Sequence, residues 1–174
     1  MELFDLYTAE REKTGKTMVR GERIPEGFYR LVIHVCIFDK AGRMLIQQRQ
    51  PFKDGWPNRW DITVGGSAVA GDTSRSAAER ETMEELGLSI DLTAERPCMT
   101  LNFENGFDDY YVLTKDIDLN ILRLQTEEVQ AVRWAEEEEI LQMIDDDLFI
   151  PYEKSLISLL FTRRERRGAH TRKE

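Results

Sequence analysis

Between Gly65 and Leu88 the chain reads GGSAVAGDTSRSAAERETMEELGL, which spaces Asp72, Arg80, Glu81, Glu84 and Glu85 behind a pair of glycines. On a helix of about 3.6 residues per turn, Ala77, Glu81, Glu84 and Glu85 fall within an arc of roughly 100°, and Met83 and Leu86 point the other way. One face is acidic and the opposite face is apolar. Like charges three and four residues apart cost a helix roughly 0.2–0.5 kcal/mol per pair, so Glu81 with Glu84 and with Glu85 is a small penalty that a bound cation reverses. A hard cation such as Mg²⁺ takes oxygen ligands, usually one or two carboxylates with waters and substrate phosphates. Gly65 and Gly66 lack Cβ and let the backbone approach a metal or phosphate closely.

Around this face the helix carries its own punctuation. Asp72 reads as an N-cap, and Gly87 as the glycine that ends the helix, with Leu88 as its apolar contact. An isolated ExxEE is more often a solvated face, and Arg80 would then merely pair with Glu84. The complete spacing is what sets the stretch apart: Gly, five residues, an acid, seven residues, Arg-Glu, two residues, Glu-Glu, one residue, Gly-Leu. That pattern resembles the signature of the Nudix hydrolase family. It departs at Asp72, where the family usually has Glu, and at Thr82, where it usually has an aliphatic residue; neither touches the clustered glutamates.

The resemblance implies a divalent-metal-dependent hydrolase of a nucleoside diphosphate linked to another group X, or of a similar organic pyrophosphate, with Mg²⁺ or Mn²⁺ as cofactor. It implies metal ligation by Glu81 and Glu85, with Glu84 as ligand or supporting carboxylate and the Gly65 carbonyl as a backbone ligand. Arg80 would orient Glu81 by a charge-assisted hydrogen bond. The catalytic set is then Glu81, Glu84, Arg80 and Glu128, with Glu81, Glu127 and Glu128 as alternative general bases and Asp108 and Asp109 behind them. Arg49, Lys53 and Arg59, on or near one loop, are candidate diphosphate contacts. Trp56, Trp60, Phe103 and Tyr110 are candidates to stack on a base, although buried packing is the commoner fate of such residues.

The segment Trp56–Asp61 and the N-terminal extension resemble the branch of this superfamily related to isopentenyl-diphosphate isomerase. The isomerase pattern places a catalytic Cys at the position of Gly65 and histidines at those of Arg30 and Ser67, and lacks most of the carboxylates. The alternatives to hydrolysis are therefore that isomerase and a nucleotide-binding module without catalysis. The intact glutamates argue against the second, and the missing Cys and His against the first. His34, in an apolar run with no second His nearby, reads as a core or half-buried residue.

These residues need a frame. Leu3–Tyr7 reads as a strand with Gly15–Arg20 as its hairpin partner, Phe28–Phe38 as a long central strand, and Asp39–Gly42 as a turn into Met44–Arg49. Gln50–Arg59 is a loop, Trp60–Val64 a strand, and Thr73–Leu86 the acidic helix. Strands near Cys98–Phe103, Tyr110–Leu113 and Val129–Trp134 and helices near Ala135–Ile144 and Tyr152–Arg164 follow. The order suits an α/β (α+β) fold, a mixed sheet covered by helices on both faces, and the resemblance implies the Nudix-type α/β/α sandwich. One domain is expected over residues 1–174, with a core at about 28–144, an N-terminal hairpin at 1–27 and a C-terminal helix at 152–167.

Composition bounds the rest. The 174 residues, 41% hydrophobic, suffice for a full core. A net charge of −9 argues against a nucleic-acid polymer as partner, so a small diphosphate must be met by metal and local basic groups. No apolar run reaches the roughly 18 residues that span a bilayer, which makes the cytoplasm the default and a membrane partner unexpected; a homodimer is left open. Two cysteines, Cys36 and Cys98, read as buried, reduced thiols. The basic block at Arg163, Arg164, Arg166 and Arg167, with His170, Arg172 and Lys173, reads as a solvated helix end.

Overall fold

The computed structural model describes residues 2–165 and Gly168 of the 174-residue chain. A hairpin of β1 (Leu3–Tyr7) and β2 (Lys13–Val19) precedes β3 (Arg30–Phe38), β4 (Met44–Arg49), β5 (Trp60–Asp61) and β6 (Val64–Ser67). Helix α1 (Ser74–Leu86), β7 (Met99–Phe103), β8 (Gly106–Thr114) and a 3-10 turn at Leu119–Ile121 follow, then β9 (Val129–Ala135), α2 (Glu137–Asp145) and α3 (Lys154–Arg163). The expected mixed sheet, sandwiched by helices and carrying a separate hairpin, is present.

Strand β3 is the spine. It runs parallel to β8 along its whole length, Arg30 opposite Gly106 through Phe38 opposite Thr114, and antiparallel to β6, with His34 opposite Gly65. It meets β4 only at the hairpin end, Phe38 opposite Met44; β4 instead takes β5 and β9 as neighbours. The sheet therefore parts between β3 and β4. Alternation along β3 sends Leu31, Ile33, Val35 and Ile37 to one side, packed with Ala77, Ala78 and Leu86 of α1. Cys36 and Phe38 go to the other, with Ile140 of α2 and Ile157, Leu160 and Phe161 of α3. Each of the Val, Leu, Ile and Phe side chains among these stabilises the fold by about 1.5–3 kcal/mol on full burial.

The single strand expected at Trp60–Val64 is two strands, because the buried Thr63 hydroxyl takes over the ladder's work there. It accepts from the Ile37 amide at 2.9 Å and donates to the Leu45 carbonyl at 2.5 Å, bridging β3 and β4. The N-cap of α1 is Thr73, not Asp72: Thr73 accepts from the Ser76 amide and Ser76 reciprocates, a capping box. Asp72 is instead engaged by Arg80 and the Ser76 hydroxyl. Gly87 is left-handed as expected (φ 63°) and donates back into the last turn. The facing of α1 also differs: Met83 is exposed and Glu85 is buried, since the helix turns Glu85 inward while Thr82 hides its hydroxyl on the Ala78 carbonyl. Cys98 is exposed rather than buried, at the head of edge strand β7, while Cys36 is in the core.

The N-terminal hairpin is docked on the loop that leads into α1. Leu3 O accepts from Ala70 N, Asp5 accepts from Gly71 N, and Lys13 donates to the Asp72 carbonyl. Arg163 closes α3 and Arg164 folds back on Phe161; Arg166, Arg167, His170, Arg172 and Lys173 lie outside the described residues. Among the described residues no helix is long and apolar enough to cross a membrane.

Candidate active site

The parting of β3 from β4 opens into a cavity of about 1100 Å³, lined from one side by Arg30 and His34 of β3 and from the other by Arg49 and Asp61. Its floor is β6 with Gly65, Gly66 and Ser67, and Glu81, Glu84 and Glu85 of α1 face into it. The second glycine of β6 is required by distance: a Cβ on Gly66 would fall inside the Glu81 side chain. Helix and strand can approach this closely only at a residue without one.

Arg80 organises the acidic face. One terminal nitrogen donates to Glu81 and Glu84, each at 2.9 Å, and the other to Asp72 at 2.9 Å and to the Ser67 carbonyl at 3.2 Å. Burial works against its charge, but Glu81 and Asp72 outweigh it and raise the guanidinium pKa. Glu85 is the extreme member. Its side chain is buried and its hydrogen-bond partner is the neutral Gln47 amide, 2.8 Å away. Burial, against that hydrogen bond and reinforced by the charges of Glu81, Asp61 and Glu128, pushes its pKa well above the ordinary carboxylate range. Burial raises Glu81 as well, opposed by Arg80.

Among the described residues no three His, Cys, Asp or Glu side chains converge as a ready-made metal cage. The reason is visible: Arg80 holds Glu81 and Glu84, and Gln47 holds Glu85. The donor set nonetheless fits a hard cation, which needs only one or two carboxylates besides waters and phosphate. The buried Glu85 has no cation among the described residues within ion-pair distance, so its charged form lacks compensation until a cation is bound.

The loop after the 3-10 turn brings further acids. Gln125 N bonds the Glu85 carbonyl, and Glu127 and Glu128 line the cavity beyond it. Glu128 pairs with Lys53 at 2.6 Å. Asp108 also lines the cavity, 3.4 Å from His34, whereas Asp109, one residue on in β8, faces the opposite side and binds Arg11 at 2.7 Å. His34 is half-buried and stacked on Tyr110, centroids 4.5 Å apart, and its Nδ1 is a buried nitrogen without a hydrogen bond. Burial, with help from Asp108, raises the Tyr110 pKa. Buried Asp61 accepts from Tyr152 at 2.8 Å, and burial raises its pKa also.

Of the basic candidates, Arg49 and Lys53 line the cavity, and Arg59 does not; it turns to the carbonyl and carboxylate of Asp147. Arg20 and Arg30 line it as well; the sequence placed Arg30 only at an isomerase histidine position and marked neither residue as a phosphate contact, and it is the β3–β6 pairing that carries Arg30 to Ser67. Of the aromatic candidates, Trp56, Phe103 and Tyr110 line it together with the exposed Phe52, while Trp60 packs under Arg133, whose guanidinium carbon is 4.9 Å from the ring centroid.

A family model described as the NUDIX domain matches residues 28–154. An uncharacterized Nudix hydrolase of Listeria monocytogenes is 51% identical over 152 residues, covering 87% of this chain and 90% of that protein. Isopentenyl-diphosphate Delta-isomerase of Streptomyces coelicolor is 36% identical over 95 residues, 52% of this chain and 48% of the isomerase. Among solved structures, DR0079 of Deinococcus radiodurans superposes with a TM-score of 0.73 at 25% identity, covering 95% of this chain and all of that one. The chain belongs to the Nudix hydrolase family, and the matched domain and relatives make it a Nudix pyrophosphohydrolase.

Proposed function

We propose that the chain is a divalent-metal-dependent hydrolase of a nucleoside diphosphate linked to another group, or of a similar organic pyrophosphate, with Mg²⁺ or Mn²⁺ as the ion. The observation that carries this reading is the turning of Glu81, Glu84 and Glu85 into one large cavity beside Gly65 and Gly66. Nudix hydrolases generally use divalent metals. Glu81, Glu85, Glu84 and the Gly65 carbonyl would hold the ion, which when bound neutralises phosphoryl oxygens and lowers the pKa of a water.

The chain's own residues do the rest. Arg80 fixes the rotamers of Glu81 and Glu84. Glu128, facing them across the cavity, takes the proton of the attacking water, and Lys53 and Arg49 meet the diphosphate. Asp109 is committed to Arg11, and Arg59 to Asp147, so neither enters this reading. A small-molecule substrate suits an open cleft of this size. The isomerase alternative is disfavoured by Gly65, which offers no thiol, and by Arg30 and Ser67, which bond each other at 2.8 Å where the isomerase pattern has histidines.

The test is a panel of nucleoside diphosphates, nucleotide sugars, dinucleoside polyphosphates and CoA, assayed with Mg²⁺ and Mn²⁺. The best substrate is expected to lose activity by about 10²-fold or more in Glu81→Gln and Glu85→Gln, a loss of about 2.7 kcal/mol in transition-state stabilisation, with circular dichroism unchanged. Comparable turnover in wild type and Glu85→Gln would sink the metal assignment. Conversion of isopentenyl diphosphate to its dimethylallyl isomer, followed by proton NMR, would overturn the hydrolase reading.

A further inference from the structure

The cations lining the cavity are not equally available to a ligand. Arg20 is paired with Glu2 at 2.6 Å, Lys53 with Glu128 at 2.6 Å, and Arg49 lies 4.0 Å from Asp61 and donates its Nε to the Gly55 carbonyl. Arg30 differs. Among the described residues no carboxylate oxygen lies within 4.0 Å of its guanidinium; one terminal nitrogen donates to the Ser67 hydroxyl at 2.8 Å, and its ζ carbon sits 5.6 Å from the Phe103 ring centroid.

Both supports are themselves fixed. Ser67 is the last residue of β6, paired opposite Val32 and two residues beyond Gly65. Phe103 closes β7, and its ring packs where a Cβ on Gly106 would stand, while the Arg30 amide donates to the Asn105 carbonyl at 3.0 Å. The β7–β8 hairpin thus grips Arg30 by its backbone and by the face of its guanidinium. A guanidinium presents five N–H donors in a planar fork that matches two oxygens of a phosphate, and here only one terminal nitrogen is engaged. Half-buried, attracted by Asp108 only through space and set beside Arg20, it is a pre-ordered positive group without a close ion-pair partner in a cavity otherwise rich in carboxylates.

We propose that Arg30, braced by Ser67 and Phe103, is the residue that binds the phosphoryl group of the substrate, and that Lys53 and Arg49, already neutralised, are secondary to it. The consequence for substrate class is a preference for a diphosphate over a single phosphate: one phosphoryl group sits against the acidic face of α1 and the other reaches Arg30. The assignment rests on the diphosphate reading above, and its test is a binding measurement that needs no turnover.

Isothermal titration of the full chain in saturating Mg²⁺ with methylenebisphosphonate, a non-hydrolysable diphosphate, and with orthophosphate reads it directly. The wild type is expected to bind the bisphosphonate at least tenfold more tightly than orthophosphate. Arg30→Gln should weaken bisphosphonate binding tenfold or more while leaving orthophosphate and Mg²⁺ affinities within about twofold. Arg30→Lys, which keeps the charge and loses the fork, should fall between, and it carries the test if the glutamine variant does not fold. Equal bisphosphonate affinity in wild type and either variant overturns the assignment, as does a wild type that does not discriminate the two ligands. Absence of hydrolysis across the substrate panel would instead sink the hydrolase reading and leave the titration standing.

Discussion

Gly66 shows how much chemistry a missing methyl group can support. Its Cα lies so close to Glu81 that an alanine there must displace either the carboxylate or the helix. Gly66→Ala is therefore expected to reduce turnover by at least tenfold at saturating Mg²⁺ with a melting temperature lowered by only a few degrees, measured by steady-state kinetics and calorimetry; an active Gly66→Ala would mean that Glu81 is free to move. The sequence made the glycine and the glutamates legible because they lie on one local pattern whose period is that of a helix. Arg30 was legible only as a position where the isomerase pattern has a histidine, not as an unpaired cation of the site, and the diversion of Arg59 to Asp147 was not legible. Which cation is neutralised by which acid is decided by tertiary pairing, and Arg20, Arg30, Arg49 and Lys53 look alike as letters. The N-cap was misread for a similar reason: Asp72 has the chemistry of a cap, but Arg80, eight residues on, claims it.

At the scale of elements, α1 combines an ordinary helix with an unfavourable charge distribution. Its capping box and C-terminal glycine stabilise it locally, while its inward face carries Glu85 against burial. The pH dependence follows from the sign of that shift. A carboxyl whose folded pKa exceeds its unfolded value of about 4.3 binds its proton more tightly when folded, so its contribution is fully present below that unfolded value and is lost as pH rises through the raised folded value. The metal-free chain should thus lose stability from Glu85 on going from about pH 4.3 upward, and Glu85→Gln should melt higher than wild type at pH 8, by about 2–4 °C for each kcal/mol, but not at pH 4. Millimolar Mg²⁺ should raise the wild-type midpoint at pH 8 by mass action and raise that of Glu85→Gln less. Identical wild-type midpoints with and without metal would mean that the acidic face does not hold the ion. Element boundaries were mostly legible from turn residues and alternation; the break at Ile62–Thr63 was not, because a hydroxyl substituting for a ladder bond leaves no period to read.

Over the whole molecule, the cavity exists because β3 and β4 diverge after one shared pair and recruit partners from far along the chain. The sequence order suggested a sandwich, yet it could not say that β8 would join β3 in parallel or that β9 would join β4, since both pairings are long-range. That topology sets a clock as well as a shape. Residues 30–38 must find 106–114, and residues 44–49 must find 129–135, so large loops have to close before the sheet gains anything from its ladders, and assembly on the order of milliseconds to seconds is expected. Trp60 and Trp134 flank β4 on its two sides, opposite Gln48 and Leu45, and report when β4 is enclosed. In stopped-flow refolding the far-ultraviolet helical signal of α1–α3 should recover before the tryptophan fluorescence; coincident traces would mean that strand closure and helix formation are one event. During synthesis the same delay leaves β4 with an unsatisfied edge until β9 has emerged, which is the interval in which this chain is most exposed to aggregation.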